Sequence, residues 1–157
     1  SFVMLEGKHH ALFHMSGDID NQCIRIGITK PVHINGWDEN RRRDYWPFRQ
    51  PDGIYDRSTS IMCCAYDVIN GECSHLENGS DDLEYLNWDR MESIEGESDA
   101  VICLLLDLDD GTLTVLKNGK RLGIMKNGLA GAFCWVVYVR EWVGTFGVAI
   151  ERGDIPE

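Results

Sequence analysis

The sequence predicts an all-β fold in which two antiparallel sheets pack face to face as a sandwich. The clearest indication is a pair of turn signals, Asp110-Gly111 and Asn118-Gly119, which separate apolar runs rich in β-forming residues. Asp-Gly and Asn-Gly favour tight hairpin turns, because such turns need positive φ at both central residues. The rest of the chain adds many short β-rich segments and no convincing helical periodicity, so we expect no helical layer.

Strand-like segments are rich in Val, Ile, Leu, Thr and aromatic residues and are bounded by Gly, Asn, Asp or Pro. They lie at residues 8–15, 23–29, 60–68, 101–108, 112–117, 120–125, 133–140 and 144–151. Two long segments, 30–58 and 74–98, show no strand pattern. Loops longer than ~12–15 residues are uncommon in compact domains and are often functional, so both segments are candidate sites.

Length and composition indicate one globular domain over residues 1–157. A chain of 157 residues is long enough to bury ~70% of its unfolded surface around one core. No apolar run approaches the ~18 residues of a membrane-spanning helix, so we expect no membrane insertion. The chain opens almost directly on a strand-like segment, so we expect no signal or transit peptide in it, and we expect the domain to be excised from, or part of, a larger protein.

The net charge of the chain is −11, and nearly all of the excess lies between Asp67 and Asp99. Such a field repels phosphate backbones and favours basic partners, so we expect no nucleic-acid partner. Two interpretations of the acidic region remain open. It is either a solvated loop whose charge only aids solubility, or a surface that docks a basic partner.

Six cysteines are present, and Cys23, Cys103 and Cys134 stand within apolar strand patterns. A free thiol in such a pattern behaves as a small hydrophobic side chain. Disulfide frameworks belong to small secreted domains that lack a sufficient core, which does not apply to a chain of this length. We therefore expect a reduced, intracellular protein located in the cytoplasm.

Three motifs follow one another in the C-terminal half: residues 106–113 read LDLDDGTL, 118–123 read NGKRLG and 128–131 read GLAG. In this order they resemble the C-terminal core of the SPRY domain. Upstream, GKHHALF at 7–13 and IRIGI at 24–28 are similar to two further strands of that family. The resemblance covers almost the whole chain and implies a bent, concanavalin-like sandwich with long loops at one end. It also implies a binding module rather than an enzyme.

The segment 33–57 is the first candidate binding site, because it interleaves aromatic side chains with arginines. Protein interfaces concentrate binding energy in Trp, Tyr and Arg, which bury a large area and still offer directional hydrogen bonds. The alternative is that these rings fold back and cap the open edge of the sandwich. The candidate binding residues are Arg41, Arg42, Arg43, Tyr45, Trp46 and Phe48.

The resemblance implies two further groups of binding residues. In several SPRY domains the ligand pocket is formed by the loop after the early IGI strand, the turn entering that strand and the turn entering the final strand. Carried over by position, these are Asp20, Asn21 and Gln22, then Tyr45 and Trp46, then Arg140, Glu141 and Trp142. The alternative for Trp142 is that it only closes the end of the sandwich. The chain departs from the family where Cys134-Trp135 replaces a Tyr-Pro pair, so known peptide specificities do not transfer.

Metal binding and catalysis find little support. Asp107, Asp109 and Asp110 lack the further ligands of a calcium loop, and Asp at a turn commonly hydrogen-bonds its own backbone. Zinc-ligand residue types occur at Cys63, Cys64, Cys73 and His75, but adjacent strand residues point to opposite faces. The sequence also contains no GxSxG elbow, HExxH motif or phosphate-binding glycine loop. We therefore expect neither a metal, nor another cofactor, nor enzymatic activity.

The sequence thus predicts a non-catalytic protein-interaction module that binds a peptide or protein surface through its end loops. Two alternatives remain open. The first is a carbohydrate-binding sandwich, since lectins share this architecture and stack sugars on exposed Trp. The second is a structural subunit that docks a basic surface through its acidic 67–99 region.

Overall fold

A computed structural model describes residues 3–17, 23–31, 63–76, 84–86, 92, 94, 97, 99–140 and 146–151. These residues form ten strands and no helix. In chain order the strands are β1 (Lys8–Gly17), β2 (Cys23–Thr29), β3 (Cys63–Asp67), β4 (Cys73–Leu76), β5 (Glu84–Leu86), β6 (Val101–Asp107), β7 (Thr112–Lys117), β8 (Lys120–Lys126), β9 (Cys134–Arg140) and β10 (Phe146–Glu151).

The strands make two five-stranded sheets in which every neighbouring pair is antiparallel. The first sheet has the order β10-β1-β6-β7-β8, and the second sheet has the order β5-β4-β3-β2-β9. The all-β, two-sheet sandwich expected from the sequence is therefore confirmed. Within the described part of the chain there is no helix that is long and apolar enough to cross a membrane.

The interior lies between the two sheets and is filled by alternate residues of the central strands, because successive strand residues point to opposite faces. On the first sheet these fully buried side chains include Phe13 of β1 and Leu104 of β6. On the second sheet they include Ile26 of β2 and Tyr66 of β3. One continuous apolar cluster results, which joins both sheets.

The hairpin predicted at Asn118-Gly119 is present as a two-residue connection between β7 and β8. Both residues have positive φ, 48° and 79° respectively, as a tight hairpin turn requires. Gly111, in the preceding turn between β6 and β7, also has positive φ, at 65°. The meander β6–β7–β8 expected from these turn signals is therefore confirmed.

The strands β4 and β5 are absent from the sequence-based prediction, which treats 74–98 as a segment without strands and is wrong there. In β4 the neighbouring polar residues Ser74 and His75 are 3% and 0% exposed. Since neighbouring residues on a strand face opposite sides, both faces of β4 are buried. The buried positions hold polar residues, so β4 lacks the apolar pattern by which a strand is predicted. The strand β5 has three residues, too few to show any alternation.

In the second sheet, the backbones of β2 and β3 approach each other closely at Gly27. A Cβ added at Gly27, in the middle of β2, would lie 1.9 Å from the carbonyl oxygen of Cys64 on β3. No side chain fits at that distance, so β2 and β3 pair closely because residue 27 has none.

Candidate partner-binding site

Two of the three C-terminal motifs, LDLDDGTL and GLAG, meet at one end of the sandwich, here called the Lys8 end and defined by Lys8 of β1 and Asp107 of β6. The Lys8 ammonium lies 2.8 Å from Asp107 Oδ2. Asp107 Oδ1 accepts hydrogen bonds from the backbone N–H groups of Asp109 and Asp110, at 3.1 Å each. The aspartates of this turn therefore support the hairpin, as the sequence predicts.

The GLAG motif packs against the same turn. The Leu129 N–H donates to the Gly111 carbonyl oxygen at 2.9 Å, and a Cβ on Gly111 would lie 2.8 Å from the Leu129 carbonyl oxygen. Leu108 N–H donates to the Gly7 carbonyl at 2.9 Å, which attaches the chain just before β1 to the same place. The most recognisable residues of this sequence thus hold the scaffold together.

The electrostatics of the Lys8 end follow from this contact. The Lys8 ammonium, with the two backbone N–H groups that Asp107 accepts, lowers the pKa of the Asp107 carboxyl. The hydrogen bond to Asp107 in turn raises the pKa of Lys8. Both groups are therefore held in their charged forms as a structural ion pair.

The opposite end of the sandwich is called the Gly17 end and is defined by the strand ends Gly17, Cys23, Arg140 and Phe146. Gly17 of β1 pairs with Phe146 of β10 in the first sheet. Cys23 of β2 pairs with Arg140 of β9 in the second sheet. The segment 18–22 joins β1 to β2, and the segment 141–145 joins β9 to β10. Because β1 pairs with β10 and β2 pairs with β9, the ends of the two segments lie side by side.

This register places the flanks of two predicted groups together. Asp20, Asn21 and Gln22 fall between Gly17 and Cys23, and Glu141 and Trp142 follow Arg140. These five residues lie outside the part of the chain that the structure describes, and so does the side chain of Arg140, whose backbone ends β9. Their role in binding remains a prediction.

The segment that carries the third predicted group leaves the sandwich at the other end, the Lys8 end. Thr29, the last residue of β2, pairs with Cys63, the first residue of β3, at the Lys8 end. The segment 32–62 between them contains Arg41, Arg42, Arg43, Tyr45, Trp46 and Phe48, all outside the described residues. Since β2 has seven residues and a strand rises ~3.3 Å per residue, its two ends are about 20 Å apart.

Lys30 marks the point where that segment leaves the sandwich. Its ammonium donates to the Ala130 carbonyl oxygen at 2.5 Å and lies 3.9 Å from the centroid of the Phe133 ring. Partial burial lowers the pKa of Lys30. These two contacts hold the start of the aromatic and Arg-rich segment against the residues that precede β9.

Three residues of the acidic region, Glu92, Ile94 and Glu97, form a connection across the Gly17 end, here called the acidic strap. On the second-sheet side, Ile94 N–H donates to the Val68 carbonyl at 3.0 Å and the Tyr66 hydroxyl donates to the Glu92 carbonyl. The Ile94 side chain is fully buried in the core.

On the first-sheet side, the strap meets the two lysines that flank the β7–β8 turn. The Lys117 ammonium lies 2.5 Å from Glu97 Oε1, and the Lys120 ammonium lies 2.6 Å from Glu92 Oε1. Part of the acidic region is therefore neutralised within the domain, which the sequence-based interpretations did not foresee. The signal available was the isolated apolar Ile94 in a run of charged residues.

Buried titratable groups on the second sheet are structural. Cys64 and Cys73 are 0% exposed, and burial, followed by the neighbouring Cys64, raises the pKa of the Cys73 thiol far above its usual range. The Lys126 ammonium donates a hydrogen bond to His75 Nδ1 at 3.1 Å. Among the residues that the structure describes, no three His, Cys, Asp or Glu side chains form a metal-binding group.

Comparison with solved structures identifies the architecture. The SPRY domain of human HERC1 matches with 17% identity and a TM-score of 0.56, over 100% of this chain and 80% of that one. The PSpry domain of TRIM65 matches with 13% identity and a TM-score of 0.52, over 99% and 67% of the two chains. No protein-family model and no curated protein sequence matches. The chain has a SPRY-like fold, which confirms the resemblance found in its sequence.

Proposed function

We propose that this chain is a non-catalytic protein-interaction module that binds a peptide or protein surface at the Gly17 end. One observation carries the proposal: the pairs Gly17–Phe146 and Cys23–Arg140 bring the ends of two connecting segments side by side. The contacting residues proposed there are Asp20, Asn21, Gln22, Arg140, Glu141 and Trp142.

The scaffold suits recognition by connecting segments. Two sheets with a filled apolar interior hold the strand ends in place, and binding residues are commonly carried on loops that a rigid scaffold positions. Trp142 would supply a large apolar contact, and Arg140 would offer paired hydrogen bonds to a carboxylate. The motif residues at the Lys8 end are occupied in holding the fold, which supports placing recognition at the other end.

The segment 32–62 is proposed to supply further anchors through Arg41, Arg42, Arg43, Tyr45, Trp46 and Phe48. Its 31 residues have an extended reach of about 100 Å, against the roughly 20 Å between the ends of β2. The length of the segment is therefore compatible with contacts made jointly with the Gly17 end.

The net charge and the cysteine thiols indicate the kind of partner and the cellular location that we propose. The net charge of −11 opposes nucleic acid and favours a basic peptide or protein surface. The thiols of Cys73, Cys103 and Cys134, which form no disulfide, support a reducing, intracellular location. The SPRY-like fold supports the general class of interaction module.

Affinity purification from native extract tests the proposal, followed by titration of the purified partner. We expect Trp142→Ala, and separately the double change Tyr45→Ala with Trp46→Ala, to weaken binding by roughly tenfold or more, as truncation of interface aromatics does. Leu5→Ala is the matched control, because Leu5 is 68% exposed and precedes β1 near the Lys8 end.

A partner that binds all three variants equally would refute the proposed site. A glycan ligand whose binding depends on Trp142, with no protein partner found, would favour the carbohydrate-binding alternative instead. Salt-sensitive binding that is unaffected by these variants but lost on charge reversal within 67–99 would favour the acidic docking surface.

A further inference from the structure

The two edges of the first sheet are chemically different. Its edge strands are β8 and β10, and among the described residues each has one neighbour, β7 and β1 respectively. An edge strand exposes unpaired backbone N–H and C=O groups that another chain can pair with. Folded proteins commonly block such edges with charged side chains, prolines or bulges.

The β8 edge is blocked in two of these ways. It carries Lys120, Arg121 and Lys126, and its pairing with β7 shifts register twice, between Leu113 and Thr114 and between Val115 and Leu116. Charge and irregularity together make this edge a poor template for a further strand.

The β10 edge has neither protection. Its sequence, FGVAIE, contains no proline and no charge before the terminal Glu151, and its six residues pair with β1 without any register shift. Ala149, Ile150 and Glu151 are exposed, and Ile150 is 51% exposed. Among the described residues, this edge is a regular strand that is uncharged up to Glu151 and that no further strand covers.

The exposed Ile150 side chain lies on β10 next to a core residue of β1. Ile150 is the register partner of Phe13, which is fully buried. The Phe13 ring also makes an edge-to-face contact with Trp135 of β9, the edge strand of the second sheet, at 6.3 Å between centroids. Trp135 is only half-buried. A strand added beside β10 would cover Ile150 and extend the apolar interior on this side.

We propose that the free edge of β10 binds an extended segment of a partner protein by β-strand addition. Main-chain hydrogen bonds to β10 provide the affinity, an apolar side chain of the segment packs on Ile150, and a Lys or Arg pairs with Glu151. This surface uses none of the side chains proposed for binding at the Gly17 end, so it is a second recognition surface that stands independently.

The negative charge at this edge favours a basic partner segment over a second copy of the chain. The Glu151 side chain is 65% exposed and lies 3.1 Å from His14 Nε2 at the open end of β10. The domain as a whole has a net charge of −11. A second copy of this chain would bring the same negative charge to the edge, whereas a basic segment is attracted to it.

The test uses the full 157-residue chain and a blocked seven-residue peptide of alternating Val and Lys. Amide hydrogen exchange is measured with and without about 1 mM peptide, a concentration that detects weak strand addition. We expect exchange in residues 146–151 to slow by about tenfold or more in the native chain. The same peptide with Glu in place of Lys should slow it less than about twofold.

The matched variants place one lysine at each edge. Ile150→Lys should abolish the protection, while Ile124→Lys on β8, where Ile124 is 43% exposed, should retain it. Equal urea midpoints for the two variants will show that both remain folded. Absence of protection in the native chain, protection outside β10, or undiminished protection in Ile150→Lys would each overturn the proposal. So would protection of β10 in concentrated protein without peptide, together with a dimer in sedimentation, which would make a second copy the occupant.

Discussion

Lys8 and Asp107 are register partners on β1 and β6, and the Lys8 ammonium lies 2.8 Å from Asp107 Oδ2. The second sheet repeats the arrangement at its other end, where Arg25 of β2 and Asp67 of β3 are register partners with Nε 3.3 Å from Oδ2. In each case the other carboxylate oxygen accepts backbone N–H groups of the following turn. One aspartate thus closes a turn and anchors a cation from the neighbouring strand.

The Lys8–Asp107 pair predicts a dependence of stability on acid pH. The pKa of Asp107 is lowered from 3.8 in the folded chain. At pH values between this lower pKa and 3.8, the unfolded chain therefore binds more protons than the folded chain. The contribution of the pair is therefore fully present above pH 3.8 and is lost as the pH falls through the lower folded value. Urea midpoints between about pH 2 and pH 7 measure this loss.

The variant Asp107→Asn is the control for that prediction. It keeps a side-chain oxygen for the turn but removes the titrating carboxyl, so its stability should fall less steeply below pH 3.8 than that of the native chain. Its Lys8 pKa should also fall towards the usual value, because the hydrogen bond to Asp107 is the main cause of the rise. Identical acid profiles for both proteins would contradict the assigned role.

Gly27→Ala should destabilise the domain severely. The added Cβ would meet the Cys64 carbonyl oxygen at 1.9 Å, and backbone cannot rotate away as a side chain can. We expect a loss of about 3 kcal/mol or more in the free energy of unfolding, at the upper end of overpacking effects. The matched change Gly147→Ala meets only the rotatable Ser16 hydroxyl, at 3.0 Å, and should cost less than about 1 kcal/mol.

Ile94→Ala tests whether the acidic strap is part of the fold. Ile94 is 0% exposed and belongs to the core cluster, so its truncation should cost about 2–5 kcal/mol. Ile124→Ala removes the same atoms from a side chain that is 43% exposed and should cost less than about 1 kcal/mol. Equal urea midpoints for the two variants would show that the strap is not docked.

Cysteine alkylation should distinguish buried from accessible thiols. Cys64 and Cys73 are 0% exposed, and the pKa of Cys73 is strongly raised by burial, so little thiolate is available to react. Cys134 is only half-buried and should react with iodoacetamide first. Mass spectrometry of peptides from the folded protein measures the order, and a sample in urea should show all three reacting. Early labelling of Cys73 in the folded protein would refute its burial.

Sequence patterns located the strands whose signals are local. The β6–β7–β8 meander follows from two turn signals and continuous apolar runs, and its bounds in the structure differ from the prediction by a residue at most. The missed strand β4 had a comparable signal, since Asn70-Gly71 lies between β3 and β4 and Gly71 has positive φ. The residues that follow this turn, Ser74 and His75, are polar although buried, so β4 shows no apolar strand pattern.

The candidate site was predictable in composition but not in arrangement. The aromatic and Arg-rich segment is evident in the sequence, whereas its departure from the Lys8 end follows only from the Thr29–Cys63 pairing. Likewise, no local pattern indicates that Glu92 and Glu97 meet lysines of the β7–β8 hairpin. Such contacts depend on which distant strands pair, which alternation within one strand does not encode.

The sequence by itself determined the turns, the alternating strands and hence the two-sheet sandwich, because turn geometry and side-chain alternation act over a few neighbouring residues. The tertiary structure decided which strand ends share an end of the molecule, such as Gly17 with Phe146 and Cys23 with Arg140. Among the described residues, it also decided which strands lie at the edges of the two sheets. These relationships join residues far apart in the chain, and they form only when both sheets bury their apolar faces against each other.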